Sequence, residues 1–290
     1  MIKGFKDAIM NICFELFEKL GIHILPISFY SPIPILKELK RINFEAFDLH
    51  GVNINDEIML KLLEDFKRFS DEFNSLPFES EEGFYLNNPN FGPVDSEVYY
   101  CIIRLFKPKR IIEIGSGFST MLALDAIRKN EEEGFQCELI AIDPYPSKKI
   151  RKVKDKNFKL IQKKVENMPI SYFNILNEKD ILFIDSSHVV RVCGDVCYLY
   201  LRVLPRLKKG VLIHSHDIFL PFDYPKEWVI KKKRFWSEQY LLHAFLLFNK
   251  AFEIIWASNY IKSKYPEKLK IFRSYKESIV PGSFWIIKTA

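Results

Sequence analysis

The 290-residue chain lacks the features of several specialised classes of protein. No uncharged apolar run approaches the roughly 18 residues that a membrane-spanning helix needs. The five cysteines form no CxxC pair, and an odd number of thiols is typical of a reduced protein rather than of a disulfide scaffold. Charged residues interrupt the apolar N-terminal stretch, which argues against a signal peptide. We therefore expect a soluble, cytoplasmic protein without a membrane span.

The charge of the chain does not demand a nucleic-acid partner. The formal net charge is +6, and the lysines and arginines are scattered except for the run Lys231–Arg234. That run either attracts a phosphate or an acidic glycan, or is a solvated face. A chain of this length can bury one large core, or one core with a modest appendage.

Residues 1–90 are predicted to form a helical N-terminal extension. Apolar residues recur at helical spacing from residue 2 to residue 20, and Asn55 can cap a second helix. An acidic loop of residues 79–93, rich in Asn, Gly and Pro, marks the boundary to a second domain of residues 91–290. The first helix packs on its own domain or on a partner subunit, which would give a homo-oligomer through the N-terminal helices. A helix on a membrane surface is the third interpretation, and the mixed charges of its polar face count against it.

Residues 109–120 predict a buried strand that turns into a helix through two glycines. Three isoleucines between positions 111 and 114 lack regular polar alternation, as expected of a strand covered on both faces. Gly115 and Gly117 allow a tight turn and a close approach of a ligand to the backbone. A dinucleotide fingerprint would have a third glycine where Thr120 stands, which disfavours a dehydrogenase. From these residues alone, a nucleotide-type site and a plain strand–helix connection both stay open.

Further apolar runs predict a sheet whose strands end at polar residues. Asp143 follows the second strand, where a carboxylate can accept hydrogen bonds from ribose hydroxyls. The fourth strand ends at Asp185, and the fifth ends near Asp217. The predicted strands after the first are Glu138–Ile142, Phe158–Gln162, Ile181–Ile184, Gly210–His214, Phe252–Trp256 and Phe284–Ile287. The last two strands are expected to be joined without a helix.

From about Phe91 to the C-terminus, the chain resembles the class I S-adenosylmethionine-dependent methyltransferases. The segments that carry the resemblance are Glu113–Gly117, Ala141–Tyr145, Phe183–His188 and Gly210–Ile213. The resemblance implies an α/β, Rossmann-like sheet of strand order 3-2-1-4-5-7-6 with the last strand antiparallel. It also implies S-adenosylmethionine as the cofactor, bordered by the segment Phe91–Asp95. The residues that it assigns to the cofactor are Glu113, Gly115, Ser116, Gly117, Thr120, Asp143 and, at the adenine, Glu166.

Two polar clusters, Asp185–His188 and His214–Asp217, follow the fourth and fifth strands. Open parallel sheets bind ligands at the carboxyl ends of their strands. Histidine can accept a proton near neutral pH, and methyl transfer to a hydroxyl requires that the hydroxyl proton be removed. We predict that Asp185 and His188 face the methyl acceptor, with His188 as the general base. The alternative is that His188 caps the following helix or bonds to a loop.

A divalent metal is a further expectation at the same strand ends. Catechol O-methyltransferase-like enzymes hold a metal there, and the Asp-x-Ser-His pattern resembles the macrocin and mycinamicin type of sugar O-methyltransferase. The resemblance implies Asp185, His216 and Asp217 as ligands of magnesium, manganese or iron. Those enzymes present an acidic residue at the position of His216, which weakens a magnesium site and favours a softer metal or none. His214 is expected to be buried structure.

Aromatic segments at Phe219–Pro225 and Arg234–Tyr240 flank the same mouth. They suit stacking on a sugar or aromatic ring, with Glu238 and Gln239 bonding to hydroxyls, or they form a lid. The sequence therefore predicts a methyltransferase that O-methylates a sugar, a glycan or another small polar substrate. The alternatives are a metal-dependent hydrolase or hydroxylase on the same scaffold, and a non-catalytic cofactor-binding assembly protein.

Overall fold

The computed structural model describes the backbone of residues 2–290 and the side chains from Met10 onward. The helices are α1 Ile2–Glu18, α2 Leu36–Leu39, α3 Asp56–Phe66, α4 Ser70–Asn74, α5 Asp95–Phe106, α6 Phe118–Glu132, α7 Lys148–Arg151, α8 Asp195–Tyr198, α9 Lys226–Ile230, α10 Glu238–Leu246 and α11 Ser258–Lys264. The strands are β1 Arg110–Ile114, β2 Glu138–Ile142, β3 Phe158–Ile161, β4 Ile181–Ile184, β5 Leu212–Ser215, β6 Phe252–Ala257 and β7 Phe284–Lys288.

The seven strands form one sheet in the order β3-β2-β1-β4-β5-β7-β6. Strands β1 to β5 are parallel, and β7 is antiparallel to both β5 and β6. The predicted strand order and the antiparallel last strand are confirmed. Because β1 lies between β2 and β4, the residues that follow these three strands meet at one edge of the sheet.

Two local expectations about the connections are wrong. The link between β6 and β7 contains α11, although a connection without a helix was expected. The sequence also predicts that residues 189–204 follow β4 as a helix with Cys193 and Cys197 on one face. The helix instead begins at Asp195, because the chain first forms a loop in which Cys193 has a φ of 54°. Cys193 therefore lies outside the helix and does not share a helical face with Cys197.

The chain divides into two compact units, and the division does not coincide with the predicted boundary at residue 90. One unit contains the residues up to Phe44 and the segment Lys226–Phe235; the other contains Glu45–Pro225 and Trp236–Ala290. Residues 45–90 belong with the sheet because their aromatic side chains complete its core. The ring of Phe66 in α3 lies 5.8 Å from that of Trp256 in β6.

An ion pair also ties residues 45–90 to the rest of the larger unit. The carboxylate of Glu72 in α4 accepts hydrogen bonds from Arg104 in α5, from Nε at 2.7 Å and from Nη2 at 2.9 Å. The guanidinium is almost fully buried, and such bidentate pairs are among the stronger ones in proteins. Of the predicted extension of residues 1–90, only the residues before Glu45 therefore lie outside the larger unit.

Two apolar side chains of the first helix that the structure describes are exposed. The side chains of Ile12 and Leu16 are 66% and 57% exposed. Self-association through this stretch stays a prediction. Across residues 2–290, none of the helices combines the length and the apolar character that crossing a membrane would require.

Candidate active site at the carboxyl ends of the strands

The turn after β1 requires glycine at position 115. Gly115 has a φ of 90°, and a Cβ atom there would lie 2.1 Å from the carbonyl oxygen of Asp185. Its N–H donates to the carbonyl oxygen of Ile142 at 3.0 Å, so the turn is bound to the end of β2. Next to it, the hydroxyl of Ser116 donates to Asp143 Oδ2 at 2.5 Å. The turn therefore joins the ends of three neighbouring strands.

The turn is supported by three further residues of the predicted cofactor site, Glu113, Gly117 and Thr120. Thr120 Oγ1 accepts a hydrogen bond from the N–H of Gly117 at 2.9 Å. Glu113 is fully buried, and Ser119 donates a hydrogen bond to its Oε1 at 2.5 Å. Burial raises the pKa of Glu113 to about 8. Thr120 is fully buried as well. Neither side chain is exposed to a ligand, so both would affect ligand binding only by holding the turn in its conformation.

A cleft of about 670 Å³ opens beside the turn. Five of the residues predicted to bind cofactor or substrate line it, namely Gly115, Ser116, Asp143, Glu166 and Asp185. The volume is that of a typical site for a small ligand. The residues present fit S-adenosylmethionine, because a glycine backbone lies beside a carboxylate that can bind a ribose and another that can face a cation.

The opposite wall of the cleft was not identified from the sequence. It contains Arg191, Val192 and Cys193, in the loop between β4 and α8. The side chain of Val192 is 94% exposed. No sequence pattern indicated that this loop lines the cleft, because its apolar residues have the same helical spacing as the helix that follows it.

His188 is held in a defined orientation beside Asp185. Its Nδ1 lies 2.8 Å from Glu238 Oε2, and its Nε2 lies 3.2 Å from Asp185 Oδ1 and 3.6 Å from Asp217 Oδ2. Its backbone has a φ of 58°, and its carbonyl oxygen accepts hydrogen bonds from the N–H groups of Ser237 and Glu238. The imidazole is therefore fixed by α10 and faces two carboxylates.

The carboxylates favour the charged form of His188. Burial alone would lower its pKa, but hydrogen bonds to Asp185 and Glu238 outweigh this effect and raise the pKa to about 10. Burial opposes ionisation of Asp185 too, yet His216 and His188 hold the pKa of this carboxyl well below its usual range. In the ligand-free chain at neutral pH, His188 is thus an imidazolium between carboxylates.

His216 lies in a second group of carboxylates on the other side of Asp185. Its Nδ1 is 3.7 Å from Asp185 Oδ1 and 3.7 Å from Asp217 Oδ1, and its Nε2 is 3.7 Å from Asp95 Oδ2. Although burial opposes it, Asp217 and Asp185 raise the pKa of His216 well above its ordinary value. Asp95, which was expected to border the cofactor, faces His216 and accepts hydrogen bonds from the N–H groups of residues 282 and 283. A contact between the cofactor and the segment of residues 91–95 stays a prediction.

The predicted metal ligands converge, but as ion pairs. Among the residues that the structure describes, no group of three or more His, Cys, Asp or Glu side chains is arranged to hold a metal ion. An imidazolium has no lone pair for a metal, so His216 would first have to lose its proton. A metal at Asp185, His216 and Asp217 stays a prediction, and so does the metal cluster that a hydrolase or hydroxylase would need. His214 is fully buried, as expected, and its Nε2 bonds to Ser283 Oγ at 2.9 Å.

Glu238 and Gln239 do not point to a substrate, contrary to expectation. Both are fully buried at the start of α10. Glu238 bonds to His188, and Gln239 Oε1 accepts from the N–H of Phe219 at 3.0 Å. Of the aromatic residues expected at the mouth, Phe222 and Tyr240 are 39% and 42% exposed, and these two are available for stacking.

Comparisons with known proteins identify a methyltransferase domain in the central part of the chain. A family model described as "Methyltransferase domain" matches residues 112–218. An uncharacterized protein of Archaeoglobus fulgidus is 32% identical over 190 residues, which are 61% of this chain and 85% of that protein. An apo structure of CmcI, 15% identical, aligns over 69% of this chain and 72% of its own with a TM-score of 0.41. A CmcI structure with Mg and SAM, 14% identical, aligns over 94% and 100% with a TM-score of 0.38.

Proposed function

The chain belongs to the class I S-adenosylmethionine-dependent methyltransferases, and we propose that it methylates a hydroxyl of a sugar, a glycan or another small polar substrate. The observation that carries the proposal is the position of His188. Its Nε2 lies 3.2 Å from Asp185, and Asp185 lines the cleft beside the glycine turn. An imidazole at this place can take a proton from an acceptor that enters next to the cofactor.

The cofactor, when bound, supplies an electrophilic methyl group on a positively charged sulfur. In the proposal, Asp143 accepts hydrogen bonds from the ribose, and its carboxylate is already oriented by Ser116 and by the N–H of Tyr145 at 2.7 Å. Gly115 lets the ligand approach the main chain. Glu166 lines the far part of the cleft and is proposed to contact the adenine.

His188 is proposed as the general base, although its ligand-free form holds a proton. Two carboxylates stabilise that proton, so a positive charge bound beside Asp185 would weaken their effect. At about 5 Å and an effective dielectric constant of about 20, one positive charge lowers the stability of the imidazolium by about 3 kcal/mol, or roughly 2 pKa units. Neutral His188 would therefore become accessible when the cleft is filled.

A hydroxyl acceptor is favoured over a carboxylate acceptor. A carboxylate is already ionised at neutral pH and needs no base, whereas a hydroxyl must lose a proton as its oxygen attacks. A buried imidazole held between carboxylates can supply that base in the second case. The exposed rings of Phe222 and Tyr240 favour a ring-shaped acceptor such as a sugar.

The proposal is tested by supplying S-adenosylmethionine with a trideuterated methyl group and a panel of nucleotide sugars, free glycosides and catechols. We expect mass spectrometry to detect the labelled methyl group on a hydroxyl oxygen. His188→Ala should lower kcat by about 10²–10⁴-fold with little change in cofactor affinity. His50→Ala, which removes an exposed histidine that does not line the cleft, is the control.

Two results would contradict the proposal. Methylation of carboxylates or amines, with none of hydroxyls, would reject the acceptor class. A fully active His188→Ala variant would reject the base. If the chain binds the cofactor tightly and methylates no member of the panel or of wider small-molecule libraries, the non-catalytic interpretation gains support.

A further inference from the structure

We propose that Glu238 is a positioning residue that acts through His188. It fixes the imidazole ring and keeps a hydrogen on Nδ1, so that Nε2 is the nitrogen that exchanges a proton with the substrate. This inference rests on the proposed role of His188 as the base. The residue itself lies fifty positions further along the chain and does not line the cleft.

The contact between Glu238 and His188 is direct and shielded from solvent. Glu238 is fully buried, and its Oε2 lies 2.8 Å from His188 Nδ1. The backbone makes a second connection, because the N–H groups of Ser237 and Glu238 donate to the carbonyl oxygen of His188 at 2.8 and 3.1 Å. Both the side chain and the main chain of His188 are thus fixed by the first turn of α10.

The carboxylate of Glu238 is itself held by a second hydrogen bond. Tyr200 donates its hydroxyl hydrogen to Glu238 Oε1 at 2.9 Å, and the same hydroxyl lies 2.7 Å from Ser215 Oγ at the end of β5. Each carboxylate oxygen therefore has one partner, and rotation of the group would break both bonds. On the other side, the ring of Trp236 lies 4.4 Å from the ring of His188. The hydrogen bond to Glu238 and the packing against Trp236 therefore restrict rotation of the imidazole ring.

The orientation matters because the two ring nitrogens have different surroundings. When Nδ1–H donates to Glu238, the lone pair of a neutral His188 is on Nε2, which faces Asp185. Without the acceptor at Nδ1, the hydrogen can move to Nε2. Nε2 would then face the substrate as an N–H group, with no lone pair to accept a proton. In hydrolases with a Ser-His-Asp triad, a carboxylate does this for a histidine, and losing its charge costs about 10⁴-fold in kcat.

A double-mutant cycle on the full chain tests the inference. Glu238→Gln is made in the native background and in His188→Ala, and kcat, the acceptor KM and the Kd of S-adenosylmethionine are measured. In the native background, kcat should fall by about 10²-fold or more, with KM and Kd within about twofold. In the His188→Ala background, Glu238→Gln should cause no further loss. Glu253→Gln, a half-buried glutamate in β6, is the control.

Each other outcome overturns a stated part of the argument. Equal fold-losses in both backgrounds would mean that Glu238 acts on the fold and not through His188. Full activity of Glu238→Gln, while His188→Ala is impaired, would reject the positioning role and leave the base in place. Full activity of His188→Ala would reject both.

A second variant covers the case in which Glu238→Gln does not fold. Tyr200→Phe removes one donor to Glu238 and leaves the carboxylate and the contact with His188 in place. It should lower kcat by a smaller factor, and this loss should again vanish in the His188→Ala background. A loss that persists there would contradict the proposed route through His188.

Discussion

Replacing Gly115 with alanine should destabilise the chain and abolish cofactor binding. Gly115 has a φ of 90°, which costs any L-residue free energy. The added Cβ would also lie 2.1 Å from the backbone oxygen of Asp185. Because that atom belongs to the main chain, no side-chain rotation can relieve the clash. The ends of β1 and β4 would have to separate, and the wall of the cleft would move with them.

Two other glycines separate these effects. Gly134 has a φ of 89° but no heavy atom within 4 Å of its Cβ position, so Gly134→Ala carries only the backbone cost of about 1–2 kcal/mol. Gly117 has neither a left-handed φ nor a close neighbour, so Gly117→Ala carries neither cost. Gly115→Ala adds overpacking of about 1–3 kcal/mol to the backbone cost, for a total of about 2–5 kcal/mol.

The assay is urea unfolding of the three variants, followed by calorimetric titration with S-adenosylmethionine. The loss of unfolding free energy should be largest for Gly115→Ala, intermediate for Gly134→Ala and smallest for Gly117→Ala. Only Gly115→Ala should lose cofactor binding under conditions where all three remain folded. Equal stability of the Gly115 and Gly134 variants would refute the clash, and normal binding by Gly115→Ala would refute the account of the cleft.

Four further predictions concern single groups. Asp143→Ala should remove the rise in melting temperature that S-adenosylmethionine causes, since a hydrogen bond to a charged group worth about 1.5–3 kcal/mol is lost; an undiminished rise in scanning fluorimetry would exclude the ribose role. The pH profile of kcat/KM for S-adenosylmethionine, which reports the ligand-free enzyme, should rise towards an inflection near 10, where His188 loses its proton; an inflection at 6.5 would mean that the carboxylates do not raise the pKa of His188. Unfolding free energy should fall as pH rises from 4.5 through 7, because burial raises the pKa of Glu97 to about 7 and the folded chain binds a proton that the unfolded chain releases; Glu97→Gln should flatten this slope in urea titrations. If a metal is bound, EDTA should silence the enzyme, manganese should restore it and Asp217→Asn should mimic the chelated protein, whereas full activity in EDTA would remove the metal.

The sequence was sufficient to place the strands because each is a short apolar run that ends at a polar residue. The predicted bounds of β2 and β4 agree with the structure at both ends. Strand β5 begins two residues later than predicted, because Gly210 adopts a left-handed turn before it. The order of the strands is a tertiary property, and it came from the resemblance to a family rather than from the pattern of any single strand.

The supporting residues of the site could not be predicted in the same way. Glu238 lies between aromatic residues in a polar-looking segment, and nothing local shows that its carboxylate is buried beneath His188. Asp95 was predicted to border the cofactor, but its position beside His216 depends on how α5 meets β7 and has no signal in the sequence. Side chains that face the cleft follow strand ends and can be found from the sequence. The side chains that support these cleft residues belong to elements distant in the sequence, and no local sequence pattern identifies them.

The buried charges would let a histidine with a raised pKa serve as the base of the proposed reaction. In the ligand-free chain, the imidazolium of His188 compensates the negative charges of Asp185 and Glu238. A positive charge bound beside Asp185 takes over part of that compensation, so the proton becomes easier to release. In the proposed reaction, the acceptor hydroxyl would give up its proton as the positive charge beside Asp185 is lost. Asp185 and Glu238 would then stabilise that proton on His188. The raised pKa of His188 would therefore favour the products of the proposed reaction, and it would keep the imidazole protonated until the cleft is occupied.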